Sequence, residues 1–316
     1  MDGVLNLNKP SGPTSHDMVS RIRRIFHQRR VGHAGTLDPM ASGVLVICLG
    51  EATRIVEYLM DSKKLYRASA VFGIQTDTED STGTVTARTD CRSITQEMVE
   101  RALPGFTGKI MQVPPMASAL HHNGRRLYDL ARAGQVVERQ PREVEIYSLR
   151  LISFKAGEHP AATFDIECSK GTYIRTLCAD IGSALGCGGH MSSLARLAVG
   201  RFALEDACSP DDLEALASEG REGTALTSID DALLDMQSLQ VKEEDAMLLA
   251  NGVLIPAGRA LGADKSPPET PIRIKSAKDR LIGIGRVVQK NNEYVIKPDK
   301  IFSGARYGVQ QGEDSA

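Results

Sequence analysis

The stretch GHAGTLDPMASG, residues 32–43, runs straight into VLVICL, residues 44–49. The first half is a loop punctuated by Gly32, Gly35 and Gly43, residues that permit tight backbone paths, and Pro39 locks its own φ. The second half is an unbroken apolar run of strand length, as expected of a buried strand. Together they deliver one carboxylate, Asp38, on a rigid turn at the mouth of a buried strand. With Leu37 and Pro39 beside it the carboxylate is only partly solvated, a setting that suits a nucleophile. An aspartate in such a turn more often serves as a turn or cap residue, and local spacing alone favours that reading over a nucleophile.

Working outward, Gly3 to Asn8 alternates as a short strand that Lys9-Pro10-Ser11-Gly12-Pro13 breaks. Thr14 or Ser15 can cap a helix whose core stripe is Met18, Val19, Ile22, Ile25 and Phe26, leaving Arg21 and Arg24 on the outward face. Leu65 to Phe72 alternates, with Tyr66, Ala68, Ala70 and Phe72 on one face. A Thr- and Asp-rich loop follows at 75–83. Residues 108–134 read as a long connection with a basic, helix-like piece from Arg125 to Arg132, and connections of that length are often functional. Residues 144–152 and 163–168 read as strands. Ser169-Lys170-Gly171 then turns into a helix with the stripe Ile174, Leu177, Ile181 and Leu185, closed by Gly186. After an acidic stretch with short helices at 205–235, the character changes. A helix near 243–251 and strands at 272–274, 281–288 and 294–296 predict a small β-rich domain. The expected division is therefore a large mixed α/β domain over 1–228 and a small one over 229–316.

The chain has 316 residues, 41% of them hydrophobic and 25% charged, with a formal net charge of −2. These values are ordinary for a globular protein. The charge is unevenly spread. Five arginines (Arg21, Arg23, Arg24, Arg29, Arg30) and no acid lie between Arg21 and His33, while acids dominate between Glu205 and Asp245. A near-neutral sum can thus hide a basic face fit for phosphates and an acidic back; a solvated arginine-rich helix face is the plainer alternative. The six cysteines form no CxxC pair and no zinc spacing, so buried free thiols are expected and a metal site is not. No apolar run is long enough to span a bilayer, and no secretory signal opens the chain, which points to the cytosol.

Two further islands can complete a site around Asp38. One is Tyr66-Arg67, the other Gly171-Thr172-Tyr173-Ile174-Arg175. Either arginine can pair with Asp38 and keep it ionised, and a tyrosine face can stack on a base. Each tyrosine taken singly reads as well as a core or surface residue.

Several motifs, in order and at matching separations, resemble the TruB family of bacterial tRNA pseudouridine-55 synthases. They are KPSG (9–12), GHAGTLDPMASGVL (32–45), KKLYRA (63–68), TDTEDSTG (76–83), PPMASALHHNGRRLYDLARAG (114–134), SKGTYIR (169–175) and GCGGHMSSLARLAVG (186–200). The resemblance is close over about 3–205 and loose beyond. It implies a pseudouridine synthase fold, a mixed and largely antiparallel twisted sheet with flanking helices. It further implies an RNA-binding thumb at about 108–134 and a small PUA-like domain at the C-terminus. It implies that Asp38 is the nucleophile in the isomerisation of the T-arm loop uridine, with no metal or organic cofactor. The first step would be attack at the anomeric carbon, ionisation assisted by Asp38, or addition at uracil C6; the sequence leaves all three open.

By the same resemblance Tyr66 would stack on the target uracil and take part in the final C5 deprotonation, and Arg175 would pair with Asp38. Tyr173 and Leu194 would line the pocket. His33 would fill the space of the extruded base, although a hydrogen-bonded loop histidine is the simpler reading. Lys9 would fix the N-terminal loop, and Asp80 would accept from the base edge or merely cap its turn. Arg21, Arg24, Arg125, Arg126 and Arg132 would contact phosphates. The partner would be the tRNA T-arm, with no membrane, no obligatory protein partner and a monomeric enzyme. One departure is Ala117, where family members often carry tyrosine. The competing readings are a guide-RNA-dependent synthase and an RNA-binding or RNA-folding protein without turnover.

Overall fold

The computed structural model describes residues 1–302 except 117, 119 and 123; at 121, 122, 126, 131 and 132 it describes backbone only. Two compact units emerge. The larger comprises Leu5–Ile47 and Val56–Ala225. The smaller comprises Leu226 onward together with Met1–Val4 and Cys48–Ile55.

The larger unit is built on a mixed, mostly antiparallel sheet. Its strands neighbour one another in the order Gly3–Lys9, Ser42–Leu49, Gly189–Val199, Lys64–Phe72, Ala161–Cys168, Arg142–Lys155, Gly108–Gln112. Lys64–Phe72 lies antiparallel to strands on both sides, whereas Gly189–Val199 meets Ser42–Leu49 in parallel. The apolar run that follows Asp38 is fully buried, as a strand flanked on both edges and both faces must be. Alternation in Lys64–Phe72 buries Ala68, Ala70 and Phe72 against the helix Ile174–Ala184, through its Ile174, Leu177 and Ile181 stripe. The other face turns out Arg67, which closes a fork-to-fork pair with Asp165, Nε and Nη2 each 2.8 Å from an oxygen. Arg67 is thereby spent on a cross-strand partner.

Thr14 caps the helix Ser15–Ile25, and its capping box is completed by Asp17. The helix buries Met18, Val19 and Ile22 and exposes Arg24. Arg21 does not face solvent freely. It pairs with Asp211 at 2.6 Å and Glu214 at 2.8 Å, on the acidic helix Pro210–Ser218. The basic helix and this acidic helix are therefore neighbours, which corrects the expectation of a basic face with the acids behind.

Three further departures concern elements. Gly189–Val199 is a central strand although its sequence, with His190, Ser192, Ser193 and Arg196, lacks clean alternation. Residues 108–112, expected within the long connection, form a strand paired with Arg142–Ile146, so the excursion begins only after Gln112. It contains a two-residue hairpin, His121–His122 with Arg125–Arg126, and the helix Leu127–Arg132. At the two ends of the 75–83 loop, Ile74–Thr76 pairs with Val85–Arg88.

The smaller unit carries a five-stranded sheet ordered Ser238–Val241, Ile272–Ser276, Leu281–Lys290, Glu293–Ile301, Ile255–Pro256. Its core gathers Leu239, Leu249, Ile272, Ile274, Ile282 and Ile296, with Leu249 supplied by the helix Glu243–Ala250. Met1–Val4 and Cys48–Ile55 belong to it although they are remote in sequence, which no linear reading anticipates. Among the described residues, no helix is long and apolar enough to cross a membrane.

Candidate active site

The turn that presents Asp38 is clamped through its backbone. On one side Ser15 Oγ both donates to the Leu37 carbonyl (3.0 Å) and accepts from the Leu37 amide (2.9 Å). Gly12 N donates to Pro39 O at 2.8 Å and Ser11 Oγ to Met40 O at 2.9 Å. Beneath them the wholly buried Lys9 ammonium donates to the carbonyls of Pro10, Pro39 and Ala41 at 3.0, 3.3 and 2.7 Å. The KPSG segment thus acts as a clamp on residues 37–41. Burial pulls the Lys9 amine down to about 8, with the Asp38 carboxylate pulling the other way. On the opposite side Arg196 donates through Nε to Val44 O (2.7 Å), Nη2 to Gly35 O (3.1 Å) and Nη1 to Thr36 O (3.3 Å). The approach of that strand requires Gly43, whose φ is +102°; a Cβ there would sit 2.2 Å from Arg196 O.

Asp38 faces a cavity of about 320 Å³, near the lower end of small-ligand pockets. Tyr66, Tyr173, Arg175, Leu194 and Arg196 line it with Asp38. Arg175 is 5% exposed and approaches Asp38 side-on, Nε 3.0 Å from Oδ2 and Nη2 3.5 Å from Oδ1. Its Nη1 reaches Asp80 Oδ2 at 3.4 Å and the Thr78 carbonyl at 3.2 Å. Of the two arginines that could have met Asp38, Arg175 does and Arg67 does not. Burial pushes the Asp38 carboxyl above its ordinary range; Arg175 pulls it back, Asp80 adds to the rise and Lys9 opposes it. The ion pair therefore moderates the rise without cancelling it.

Tyr66 reaches the cavity from the strand Lys64–Phe72 and stands opposite Arg196 in register. Burial pushes its phenol up, and the Arg196 guanidinium beside it pulls against that rise. Tyr173 caps the helix Ile174–Ala184 without a side-chain bond. Its backbone is held instead by Gln112, which donates to Tyr173 O at 3.0 Å and accepts from Tyr173 N at 2.8 Å. The last residue of the Gly108–Gln112 strand thereby locates the helix start and, one residue on, Arg175.

The other expected residues stand back from the cavity wall. Asp80 is buried and uses Oδ1 on Thr78 Oγ1, Thr82 N and Thr82 Oγ1 at 2.8, 2.9 and 2.6 Å. It is both a turn residue and the second carboxylate of Arg175. His33 lies on the short strand Val31–His33, its Nδ1 buried without a hydrogen-bond partner and its imidazole lowered by burial. Arg125 is exposed, whereas the side chains of Arg126 and Arg132, and Ala117 altogether, lie outside the described residues. Among the described residues no cluster of His, Cys, Asp and Glu is arranged to hold a metal, and Cys48, Cys91, Cys168, Cys178 and Cys187 are buried free thiols.

The sequence reading passed over Arg196, Lys64 and Gln112. Arg196 and Lys64 each left a signal, since Arg196 stands two residues from Leu194 and Lys64 two from Tyr66 on one strand, and so each shares a face with a residue already singled out. Lys64 also lines the cavity, buried, with its amine on the carbonyls of Met60 and Ser62 and lowered to about 8 by burial.

Comparison with known proteins follows the same line. The TruB family pseudouridylate synthase N-terminal domain matches residues 23–174, and the tRNA pseudouridylate synthase B C-terminal domain matches 175–240. A Dehalococcoides mccartyi protein named tRNA pseudouridine synthase B is 41% identical over 302 residues, 96% of this chain and 97% of its own. A Syntrophotalea carbinolica protein of the same name is 47% identical over 253 residues, covering 80% and 81%. Among solved structures, a chain of a Cbf5-Nop10-Gar1 complex superposes with a TM-score of 0.74 at 26% identity, over 95% of this chain and 84% of that one.

Proposed function

The chain belongs to the TruB family of pseudouridylate synthases, and from that membership we propose a catalytic centre made of Asp38, Arg175 and Tyr66 acting on the T-arm loop uridine of tRNA. The protein is a tRNA pseudouridine synthase, an isomerase, like the relatives that bear that name. The observation that carries the site assignment is the side-on pairing of Arg175 with Asp38, Nε to Oδ2 3.0 Å, at the wall of a nucleotide-sized cavity.

The target uridine must leave its stack before a side chain can reach its sugar, at a cost of a few kcal/mol that is least in a loop. In the reaction the bond from C1′ to N1 breaks, the uracil turns, C1′ bonds to C5, the C5 proton leaves and N1 takes up a proton. Nothing is gained or lost overall. Asp38 serves as nucleophile or as the anion that stabilises the separated sugar, much as a retaining glycosidase carboxylate does. Arg175 holds the carboxylate's orientation and favours its ionised form against burial. Tyr66 and Tyr173 stack on or border the base, Leu194 closes the pocket, and Lys9 stiffens the turn. His33 fills the place of the extruded base, and Asp80 steadies Arg175. Arg24, Arg125, Arg126 and Arg132 meet phosphates, while Arg21 is committed to carboxylates in the unbound protein. The smaller unit is read as PUA-like, in keeping with its β-rich build.

The enzyme works as a monomer in the cytoplasm, without a guide RNA or an obligatory protein partner. The likeness to a protein of a Cbf5-Nop10-Gar1 complex gives the guide-dependent alternative its specific footing; the higher identity to proteins named tRNA pseudouridine synthase B favours the stand-alone reading. Incubating the purified chain alone with an unmodified tRNA transcript and mapping pseudouridine decides. Conversion in the T-arm loop supports the assignment. Binding without conversion returns the protein to the RNA-folding reading, and conversion only with added guide RNA and partner proteins to the guide-dependent one.

A further inference from the structure

We propose that Gln112 is a positioning residue for the isomerisation: its buried amide grips both backbone groups of Tyr173 and so sets how Arg175 meets Asp38 and holds it ionised. The proposal rests on the assignment of Asp38 and Arg175 above.

Gly108–Gln112 is the last strand at one edge of the large sheet. Of its five residues only Gln112 is buried, at 2% exposed. The one side chain this strand encloses is therefore polar, and a buried amide must find partners. Gln112 finds both on one residue. Its Nε2 donates to Tyr173 O at 3.0 Å and its Oε1 accepts from Tyr173 N at 2.8 Å. A backbone N–H only donates and a carbonyl only accepts, so a single orientation of the amide satisfies both. The grip falls at a helix start that lacks a side-chain cap, because Tyr173 is a poor cap residue and makes no such bond to Ile174–Ala184. Four residues upstream, Ser169 N donates to Glu145 O at 2.8 Å and Ser169 Oγ accepts from Glu145 N at 2.9 Å. Glu145 lies on Arg142–Lys155, which pairs with Gly108–Gln112. Two paired strands thus hold the turn 169–173 at both of its ends.

Arg175 stands two residues beyond the gripped backbone, and its contact with Asp38 has little slack. Nε lies 3.0 Å from Oδ2, but Nη2 lies 3.5 Å from Oδ1, at the limit of hydrogen-bond range. Any drift of the helix start opens that second leg first. The charged groups that face Asp38 are Arg175, Asp80 and Lys9. Lys9 ends the first strand and Asp80 sits in the 75–83 loop, so Arg175 alone is carried by the helix that Gln112 holds. Loosening the helix start therefore weakens the one arginine that favours the ionised carboxylate against burial. Gln112 itself carries no charge and does not line the cavity, so it acts only through Tyr173 and Arg175.

A residue that merely braced the sheet edge would cost stability alone, so the test must read Asp38. Gln112→Met is made in the full chain, alone and combined with Arg175→Ala. Val144→Ala, which truncates a buried side chain on the neighbouring strand, is the control for lost stability. Folding is checked by circular dichroism. KM and single-turnover rates with excess enzyme are measured on a tRNA transcript, the rates across acidic to neutral pH. Gln112→Met is expected to slow turnover by about tenfold at neutral pH, with KM within about threefold. Its acidic limb should move to higher pH, by less than Arg175→Ala moves it. In the Arg175→Ala background the same change should cost no more than about threefold and move the limb no further, because the group it positions is already gone. Val144→Ala should leave the limb at its wild-type position. An unmoved limb in a folded Gln112→Met protein, an equal loss in both backgrounds, or an equal shift in Val144→Ala overturns the proposal and leaves a brace. An unmoved limb in Arg175→Ala alone would instead sink the role of Arg175, and the proposal with it. Should Gln112→Met fail to fold, Gln112→Asn, whose amide falls one methylene short, carries the test; should Arg175→Ala show no measurable rate, Arg175→Lys takes its place.

Discussion

Arg175 and Arg21 each hold two carboxylates, and the two clusters behave in opposite ways. Arg21 lies closer to its partners, 2.6 Å from Asp211 and 2.8 Å from Glu214. Arg175 stands 3.0 Å from Asp38 and 3.4 Å from Asp80. At the surface the arginine wins, and Glu214 is held below its usual range chiefly by its hydrogen bond to Arg21. In the cavity burial wins, and Asp38 rises despite Arg175. Distance does not rank the two; dielectric does. Water screens the exposed cluster and hydrates its members once they are separated, so it contributes little. The enclosed cluster has no such alternative, and removing one member leaves a charge stranded. One arrangement joins two helices; the other holds a carboxylate at the wall of a cavity.

This contrast can be broken at its strongest point first. Asp38→Asn should abolish pseudouridine formation while the tRNA Kd moves by less than about tenfold, or about 1.4 kcal/mol, because binding is spread over many contacts. Product mapping and filter binding read the two, and turnover by this variant would end the assignment.

Arg175→Ala comes next. It leaves Asp38 and Asp80 facing each other without their shared cation. Loss of stability should be about 3 kcal/mol in denaturant titration, the low end for a broken buried pair because the Asp38 side chain is 36% exposed to screening solvent. Asp38 must be ionised to act. Removing the cation raises its pKa further, so the acidic limb of the rate profile should move to higher pH. A limb that stays in place would show that Arg175 does not tune Asp38.

Asp80→Asn sharpens the comparison in the reverse direction. Asp80 adds to the rise of Asp38, so its neutralisation should shift the acidic limb to lower pH, by no more than about one unit. Arg175 keeps its pairing with Asp38 in this variant. A shift upward would mean that Asp80 acts mainly by holding Arg175 in place.

The smallest effect belongs to Arg21→Ala. Turnover should be unchanged. The salt dependence of tRNA binding should keep its slope, which would fall by about one if Arg21 neutralised a phosphate. A shallower slope would show that Arg21 leaves its carboxylates for RNA.

Much of this was legible in the chain. The buried run 44–49, the alternation of 65–72 and the stripe Ile174, Leu177, Ile181 each follow from residue periodicity, and each matches its element. The Gly189–Val199 strand was illegible for a physical reason. Its polar positions are satisfied by other strands, as when Ser192 donates to Ser69 O at 3.1 Å and Arg196 to Val44 O at 2.7 Å, so apolar patterning was never what held it. Gly108–Gln112 hid inside a longer irregular segment because only its pairing with Arg142–Ile146 makes it a strand.

By itself the sequence determined the local elements, the family to which the motifs belong, and the short roster within which a nucleophile had to be sought. Its local spacing could not rank Asp38 as a turn residue against Asp38 as a reacting group, nor Arg67 against Arg175 as its partner; only the resemblance to the family singled out Asp38 and Arg175. The pairing itself depends on which side chains share a low-dielectric space. Arg67 and Arg175 differ little in their local surroundings, yet one turns outward from its strand to Asp165 while the other is carried by a helix start, located by Gln112, into contact with Asp38. Arg196 makes the same point, since its reach from a central strand to Val44, Gly35 and Thr36 spans residues remote from it in the chain. Only the folded sheet brings those groups within hydrogen-bond distance, and only burial there gives their charges the strength to matter.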